Sequence, residues 1–442
     1  MIRLATIKMN RRIIHLVLFF VVSGFLSACD NGDSADRTFT IAVISDTQNY
    51  VDFSHQKKEG YPIDAAELFI QQMQFLAKNT QAHGGEIAFA TSVGDVWQNY
   101  EIGMDDAHYE RGMRRLPRLL GLHLQMGAEK VNAGVRDFEL PLTRRGYDML
   151  AATGVPFSVA PGNHDYEKWW TVNPVPSDAE ATEMLIEDNI RTNTHVGGYD
   201  VFNGVFGPDS NYFNGKNWYI SSFNGGVNSA QIFEAGGYKF LHFGFEMQAG
   251  DDVLEWAQGV IDEHPGMPTM MSTHDYLNPR GERLAAPSMD LAKFDPAGHN
   301  SAEDIWNDFI KRNDQIFMIL SGHQIGQATR IDKNDAGHDV YQLLSDYQGR
   351  GQVAAQGSQA SRASSTGDGW LRLMEFYTGL DVPVIKVRTY STYYEKYSFD
   401  VAEYANWYRD LEQPNMTDEE FHSADHFEIE LNDFKKRFGN PN

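Results

Sequence analysis

The chain has a single cysteine, Cys29, among its 442 residues, which excludes a disulfide within the chain. Basic residues are also scarce, with 37 Lys and Arg against 61 Asp and Glu, and the net charge is −24. Such an acidic field repels nucleic acid backbones and anionic membrane surfaces. We therefore expect no nucleic acid polymer as a partner.

The apolar run near the start is too short for a typical membrane-spanning helix. It extends from Ile13 to Leu26, about 14 residues, whereas a helix needs roughly 20 to cross a bilayer. Arg11 and Arg12 precede it and small residues follow it, which is the pattern of a secretory signal peptide over residues 1–28. We expect this segment to be cleaved.

The segment Leu26-Ser27-Ala28-Cys29 resembles the bacterial lipobox, which implies lipidation of Cys29. The alternative is an ordinary signal peptide with an incidental cysteine. Lipidation implies a position on the periplasmic face of the cell envelope, with membrane contact through the N-terminal lipid alone, and Asp30 resembles the signal that favours the inner membrane. Residues 29–38 would form a tether, and loss of residues 1–28 would change the net charge to −28.

Two common hydrolase motifs are missing, the Gly-x-Ser-x-Gly elbow and the His-Glu-x-x-His helix. Instead, five short apolar runs predict buried strands of an inner sheet. These runs are Phe39–Ile44, Ile87–Val93, Pro156–Ala160, Thr269–Ser272 and Ile316–Leu320. Amphipathic segments between them predict helices that cover the sheet, so the pattern indicates an α/β fold.

Each predicted inner strand is followed by polar side chains that can bind a metal ion. In chain order they are Asp46 and Gln48, Asp95, Asn163 with His164 and Asp165, His274, and His323. An Asp after a strand is often only a turn former, but five such events in one register favour a shared site at the strand ends. Glycines precede three of these positions, at 94, 162 and 322, and would allow close backbone approach.

The remaining chain predicts additions to this core. Residues 99–145 and 166–237 have the composition of insertions, and the runs Asp339–Leu344, Trp370–Phe376 and Val384–Thr389 predict a second sheet. Residues 401–442 form a C-terminal tail whose aromatic residues predict a helix packed on the core.

The order Asp, Gly-Asp, Gly-Asn-His-Asp, His, Gly-His resembles the calcineurin-like metallophosphoesterase family over about residues 39–395. The most specific element is Gly162-Asn163-His164-Asp165. The resemblance implies a four-layer αββα sandwich, with two mixed sheets flanked by helices, over residues 39–400. It also implies hydrolysis of a small phosphate mono- or diester by water activated at two divalent ions of the Mn, Fe or Zn type.

The resemblance also implies a role for each residue. Asp95 would bridge the two ions, Asp46 would bind the first, and Asn163, His274 and His323 would bind the second. His164 would act as the general acid, or as a hydrogen-bond donor to the phosphate, and Asp165 would orient its ring. The oligomeric state has no signal in the sequence.

Two positions depart from the family pattern, and both concern the first ion. Gln48 replaces the histidine of the usual Asp-x-His, and Ile325 replaces the last histidine of Gly-His-x-His. We expect the first ion to be bound weakly, to be absent, or to have a further ligand. The candidates for such a ligand are His55, Gln324 and His299.

Three alternatives to a phosphoesterase remain open at this stage. The main one is a non-catalytic periplasmic lipoprotein that binds a metal or ligand and retains the scaffold. A nuclease would need a basic groove, for which Arg330, Arg350, Arg362 and Arg372 are the candidates, and a metal-dependent hydrolase acting on another bond is the third.

Overall fold

The computed structural model describes residues 37–98, 114–115, 128–166, 170–171, 194–195, 198–287, 290–293, 298–355 and 366–441. The expected signal peptide, Cys29, Asp30 and Arg362 lie outside these residues. None of the helices within these ranges combines the length and the apolar character that crossing a membrane requires.

Two mixed seven-stranded sheets form the centre of the protein. In spatial order, the first contains β16 (Lys396–Tyr397), β15 (Val384–Ser391), β14 (Trp370–Tyr377), β1 (Thr38–Ile44), β2 (Ile87–Ser92) and β4 (Phe157–Val159), with β17 (His426–Glu430) paired to β15. The second contains β12 (Gly326–Lys333), β13 (Asp339–Asp346), β11 (Ile316–Ser321), β10 (Thr269–Ser272), β9 (Tyr238–Gly244), β8 (Asn228–Ala235) and β7 (Tyr219–Phe223). A small third sheet joins β3 (Arg114–Arg115), β5 (Trp170–Thr171) and β6 (Thr194–His195).

Helices connect and cover the strands. They are α1 (Gln48–Val51), α2 (Ala65–Lys78), α3 (Ala128–Gly134), α4 (Leu140–Ala151), α5 (Asp200–Phe206), α6 (Asp251–Glu263), α7 (Ala302–Asp308), α8 (Gln352–Ala355), α9 (Tyr404–Glu412), α10 (Asp418–Ser423) and α11 (Phe434–Phe438). A π-helical segment, Val135–Glu139, joins α3 to α4. Helix α7 ends at Asp308 and is followed by a 3₁₀ turn, Ile310–Arg312.

The alternating side chains of β1 show how the sheets and helices form separate layers. Ile41 and Val43 pack between the two sheets, whereas Ala42 and Ile44 pack on the opposite face, in the cluster that contains α2 and α4. Successive side chains of a strand point to opposite faces, so a strand buried on both faces is apolar throughout. Helices α6 and α7 cover the outer face of the second sheet in the same way. The chain is therefore an α/β protein with two mixed sheets flanked by helices.

The five predicted inner strands exist but do not share one sheet. β1, β2 and β4 belong to the first sheet, whereas β10 and β11 belong to the second. The later strands are also divided, because β13 pairs with β11 while β14 pairs with β1. Apolar runs show that strands are buried on both faces, but they do not show which strands are neighbours.

The two predicted insertions and the tail are partly integral to the fold. Part of segment 166–237 forms β7 and β8 of the second sheet, so it is not wholly an insertion. Leu142 and Leu150 of α4, at the end of the segment 99–145 and beyond it, pack in the core. The tail adds β17 to the first sheet and buries Tyr404 and Tyr408, although Leu411 remains 54% exposed.

Candidate metal centre

The predicted ligands meet where the carboxyl ends of the two sheets face each other. Asp46 follows β1, Asp95 follows β2, and Asn163 follows β4 of the first sheet. His274 and His323 follow β10 and β11 of the second sheet. Asp46 and Asp95 are 1% exposed and His274 is fully buried, so the site lies below the protein surface.

Three potential ligand atoms converge on Nε2 of His274. Its Nε2 lies 3.1 Å from Oδ1 of Asn163 and 3.1 Å from Nδ1 of His323. The same Nε2 lies 3.2 Å from Oδ1 of Asp95. Asp95, His274 and His323 thus form a group that can hold a metal ion, with ligand atoms within 4.8 Å of one another.

The tautomer of His274 shows why a cation suits this position. Its Nδ1 lies 2.9 Å from the carbonyl oxygen of Val93, which only accepts, so Nδ1 carries a hydrogen. In a neutral ring Nε2 then presents a lone pair, and it faces an oxygen of Asp95 and an oxygen of Asn163 that are also lone-pair donors. Such a convergence is stabilised by a proton on Nε2 or by a metal ion.

The charges of the site favour the cationic state of His274. Burial alone would lower its pKa, but the carboxylates of Asp95 and Asp46 outweigh burial and raise the pKa of His274 to about 10. Burial alone would likewise raise the pKa of Asp95, but the charges of His274 and His164 hold it well below its ordinary value. A metal ion must therefore compete with a proton at Nε2.

Two glycines permit the close approach of the strand ends, as the sequence predicts. A Cβ on Gly162 would lie 2.2 Å from Oδ1 of Asp95, and one on Gly322 would lie 2.2 Å from Oδ1 of Asp46. Asp95 and His323 themselves have positive φ angles, 51° and 67°. Non-glycine residues in this region cost backbone energy and cluster at functional sites.

Gln48 lies at the first position of α1 and is buried. Its Nε2 donates a hydrogen bond of 3.1 Å to Oδ2 of Asp95. Its Oε1 is also buried and has no hydrogen-bond partner among the residues that the structure describes. An amide oxygen left without a donor costs free energy in a protein interior, so Oε1 is available to a cation.

The three candidate replacement ligands make other contacts. His55 Nδ1 lies 2.8 Å from the Asn49 carbonyl, and Gln324 Nε2 donates to Oδ1 of Asp275. His299 Nδ1 lies 3.2 Å from the carbonyl oxygen of Gln248. Ile325 lines the cleft, where a Cβ on Gly349 would lie 2.9 Å from it.

His164 points into the site but is not oriented by Asp165, which differs from the expectation. Its Nδ1 lies 2.7 Å from the carbonyl oxygen of Gln98, and its Nε2 lies 3.9 Å from Oδ2 of Asp95. The carboxylate of Asp165 instead accepts from the amides of Gly162, at 2.7 Å, and Val96, at 3.0 Å. Burial and the charge of Asp95 raise the pKa of Asp165 to about 8.

Asp346, the last residue of β13, is a site residue that sequence reasoning missed. It is fully buried, and after burial its charge is the largest cause of the raised pKa of Asp46. Burial raises the pKa of Asp346 itself to about 7. A signal existed, because Asp346 follows the predicted strand Asp339–Leu344 as the other acidic residues follow theirs.

A cleft of about 230 Å³ opens at the candidate metal centre. It is lined by Gln48, Asn49, Asp95, Gln98, Asn163, His164, His323, Ile325, Gln348 and Gly349. Among these lining residues there is no Lys or Arg. The cleft is smaller than the roughly 300–1,000 Å³ of a site for a drug-sized ligand, so it suits the head group of a small molecule.

The proposed basic patch does not form among the described arginines. Arg350 and Arg372 are fully buried and pair with Asp425, at 2.7 and 2.8 Å. Arg330 pairs with Asp332. The contacts with Asp425 arise because the tail packs on the core, as expected, but the sequence did not identify Asp425 as the partner of the two arginines.

Comparison with known proteins gives one distant relative and no family. No protein-family profile matches the chain. Over 271 residues, 59% of the chain, it is 26% identical to an uncharacterized protein of Bacillus subtilis (strain 168), YvnB. The matched part is 16% of the length of that protein.

Proposed function

We propose that the chain is a metal-dependent phosphoesterase of the calcineurin-like type, which hydrolyses a small phosphate mono- or diester. The observation that supports this most is the convergence of Asp95, Asn163 and His323 on Nε2 of His274, next to Asp46 and His164. The two mixed sheets with flanking helices agree with the four-layer αββα sandwich of that family.

The residues present fit a metal centre, because lone pairs converge at His274 and Oε1 of Gln48 lacks a donor. Asn163, His274 and His323 would hold one divalent ion, Asp46 and Gln48 the other, and Asp95 both. Mixed carboxylate, amide and imidazole ligands suit Mn, Fe or Zn. Such ions would activate water and stabilise negative charge on the phosphoryl group.

His164 supplies proton transfer in this proposal. The Gln98 carbonyl accepts the hydrogen of Nδ1 at 2.7 Å, which leaves Nε2 as the nitrogen near Asp95 and the cleft. In the imidazolium form, Nε2–H donates to the leaving oxygen of the ester. Asp165 acts as a positioning residue, because its carboxylate holds the amides of Val96 and Gly162, which border Asp95 and Asn163.

The small cleft and the acidic chain favour a small substrate over a polymer. The lining residues include no Lys or Arg, so most of the affinity for phosphate would come from the bound cations. We also propose that Cys29 carries a lipid and places the domain on the periplasmic face of the envelope. This part rests on the sequence alone.

The test uses a soluble form that starts at Asp30. Metal content per chain is measured together with hydrolysis of a chromogenic phosphomonoester and phosphodiester, with added Mn²⁺, Fe²⁺ or Zn²⁺. We expect Asp95→Ala to lose both metal and activity. We expect His164→Ala to keep the metal and lose about 10²- to 10⁴-fold in kcat, the size of general acid–base catalysis.

The matched control is His83→Ala, which removes an exposed imidazole before β2, at the opposite end of the strand from Asp95. It should change neither metal content nor activity. If the protein binds an ion tightly but hydrolyses neither ester with any of these metals, a non-catalytic binding lipoprotein becomes the better proposal. The loss of imidazole at Gln48 and Ile325 is the observation that favours this alternative.

A further inference from the structure

One wall of the cleft is built from neutral side chains. Apart from the potential metal ligands and His164, the cleft is lined by Asn49, Gln98, Ile325, Gln348 and Gly349. None of these five residues is charged, and three of them carry a carboxamide group. A molecule that enters the cleft therefore meets uncharged hydrogen-bonding groups on this wall, and charged groups only among the potential ligands and His164.

The side chain of Asn49 is held in a fixed position on this wall. Its Nδ2 donates to Oε1 of Gln348 at 2.9 Å, and the residue is only 8% exposed. The backbone carbonyl of Asn49 lies 2.8 Å from Nδ1 of His55, which ties down the main chain at the second position of α1. Burial and these two contacts restrict the rotation of the Asn49 side chain.

A chain of hydrogen bonds determines which atom of Asn49 remains available to a ligand. Behind the wall, the carboxylate of Asp346 accepts from the backbone amide of Gln348 at 3.1 Å and from its Nε2 at 3.2 Å. An ionised carboxylate only accepts, so Gln348 turns its Nε2 towards Asp346 and its Oε1 towards Asn49. Asn49 must then present Nδ2 to Gln348, and its Oδ1 is left for the cleft.

Oδ1 of Asn49 is an acceptor without a donor in the described part of the chain. No described residue donates a hydrogen bond to this oxygen, although Asn49 is only 8% exposed. An amide oxygen that is shielded from water and has no donor costs free energy, so the site favours a ligand that supplies a hydrogen. The equivalent oxygen of Gln348 already has a donor, which is Nδ2 of Asn49.

The surroundings favour a hydroxyl group as this donor. Cations bound at the metal centre would repel an ammonium group, and the wall itself has no carboxylate to attract one. A carboxylate or a second phosphate on the ligand would find no Lys or Arg among the lining residues, and Oδ1 of Asn49 would repel it. A neutral hydroxyl group avoids both costs, and Ile325 on the same wall can contact the carbon atoms that carry it.

We propose that Asn49 determines substrate specificity: its Oδ1 accepts a hydrogen bond from a hydroxyl group of the leaving alcohol, so the substrate is a phosphate ester of a small, neutral alcohol with at least one further hydroxyl group. Gln348 is a positioning residue, because it acts by orienting Asn49. The inference rests on the proposed function, since it concerns the alcohol that hydrolysis releases. The cleft volume of about 230 Å³ agrees with a small alcohol.

The test compares 2-hydroxyethyl phosphate with ethyl phosphate, which differs only in lacking the hydroxyl group. Each is supplied as the monoester and as the methyl diester to the soluble form that starts at Asp30, loaded with Mn²⁺ at pH 8. Hydrolysis gives kcat/KM, and calorimetry gives Kd. We expect the wild type to prefer the hydroxyl-bearing ester about 10- to 100-fold, the effect of leaving a buried hydrogen-bonding group without its partner.

Asn49→Leu keeps the approximate size of the side chain and removes its acceptor. The kcat/KM for 2-hydroxyethyl phosphate should fall about 10- to 100-fold, to the value for ethyl phosphate. The kcat/KM for ethyl phosphate and the metal content should not change, because neither depends on Oδ1 of Asn49. Gln348→Met, which allows Asn49 to rotate, should reduce the preference by a smaller factor.

The matched control is Asn313→Leu. Asn313 is also 8% exposed, and its Nδ2 also donates to a glutamine, at 2.9 Å from Oε1 of Gln258. It precedes β11, at the opposite end of that strand from His323. This variant should retain the preference of the wild type.

The possible results separate this inference from the proposed hydrolysis. Equal values for the two esters in the wild type, or an equal loss of activity on both esters in Asn49→Leu, overturn the inference and leave the hydrolysis standing. A preference for 2-aminoethyl phosphate over both esters also overturns it. If 2-hydroxyethyl phosphate binds more tightly, loses this advantage in Asn49→Leu and is not hydrolysed, recognition of the hydroxyl group by Asn49 is supported and the hydrolysis is overturned. Binding of neither ester overturns both.

Discussion

Two clusters of buried charge in this protein have opposite designs. In the tail cluster, the carboxylate of Asp425 accepts from Arg350 and Arg372, and also from the hydroxyls of Tyr347 and Tyr404. Burial alone would raise the pKa of Asp425, but the two arginines outweigh it and lower the pKa. The cluster neutralises its own charge.

The candidate metal centre lacks this compensation. Burial and the charge of Asp346 raise the pKa of Asp46 well above its ordinary value, and no described Lys or Arg pairs with either residue. The neighbouring cationic group is the ring of His274. Its Nε2 faces oxygen atoms of both Asn163 and Asp95. The comparison shows that a buried carboxylate can serve a structural role or can be suited to bind a cation. The number of hydrogen-bond donors and basic side chains around the carboxylate distinguishes the two cases.

Breaking the tail cluster should give the largest effect on stability. Asp425→Ala leaves two guanidinium groups buried with fewer partners and should lower the free energy of unfolding by about 3–5 kcal/mol, the cost of breaking a buried ion pair. Urea unfolding with a chelator present measures this change. Asp425→Asn, which keeps one acceptor oxygen, should give a smaller loss.

The control for this prediction is Glu428→Ala, which removes an exposed carboxylate from the same tail. Glu428 lies 3.7 Å from Lys386 and its side chain is 61% exposed, so little stability should be lost. Equal losses in Asp425→Ala and Glu428→Ala would show that the tail does not depend on its buried charges.

His242 tests how strongly this core penalises a charge that has no partner of opposite sign. It contacts Ser272 Oγ at 2.9 Å, and burial lowers its pKa to about 3. Because the pKa is lower in the folded protein than the ordinary 6.5, stability is complete above about pH 6.5 and is lost as the pH falls towards 3. The loss at pH 5 should be about 2 kcal/mol.

The measurement is urea unfolding of metal-free protein between pH 7 and pH 5. In His242→Gln the pH slope should become smaller by up to one proton, about 1.4 kcal/mol per pH unit. If the pH slope of His242→Gln equals that of the wild type, burial of this charge costs little. The two clusters would then not differ in how burial affects their charged groups.

The positions of the residues in the candidate metal centre were predictable because each follows a recognisable strand. Asp46, Asp95 and His274 end buried runs with a clear apolar pattern, and strand ends gather at one edge whichever sheet they belong to. The division of the strands between two sheets did not affect this inference. Pairing partners were not predictable, since β14 is remote in sequence from β1, its neighbour in the first sheet.

Other features depended on contacts that no local pattern contains. Asp346 could have been predicted, because it lies two residues after the predicted strand Asp339–Leu344, but it was not assigned to the site. The pairing of Arg350 and Arg372 with Asp425 joins residues 75 and 53 positions apart. The ring of His164 is held by a backbone carbonyl of Gln98, and carbonyl partners leave no trace in a sequence.

The last prediction concerns the smallest change in stability, and the sign of that change depends on whether a metal ion is bound. Asp46→Asn removes a carboxylate whose pKa is raised in the folded protein, so the ionised form costs stability above its unfolded pKa. Metal-free Asp46→Asn should therefore be more stable than the wild type at pH 8. With Mn²⁺ at 100 times its Kd, the wild type should gain about 2.7 kcal/mol and become the more stable protein.

Asp425→Asn should destabilise the protein in both conditions, and thermal unfolding of the two variants with and without Mn²⁺ compares them directly. If Asp46→Asn destabilises the metal-free protein as Asp425→Asn does, the centre compensates its own charge and needs no ion.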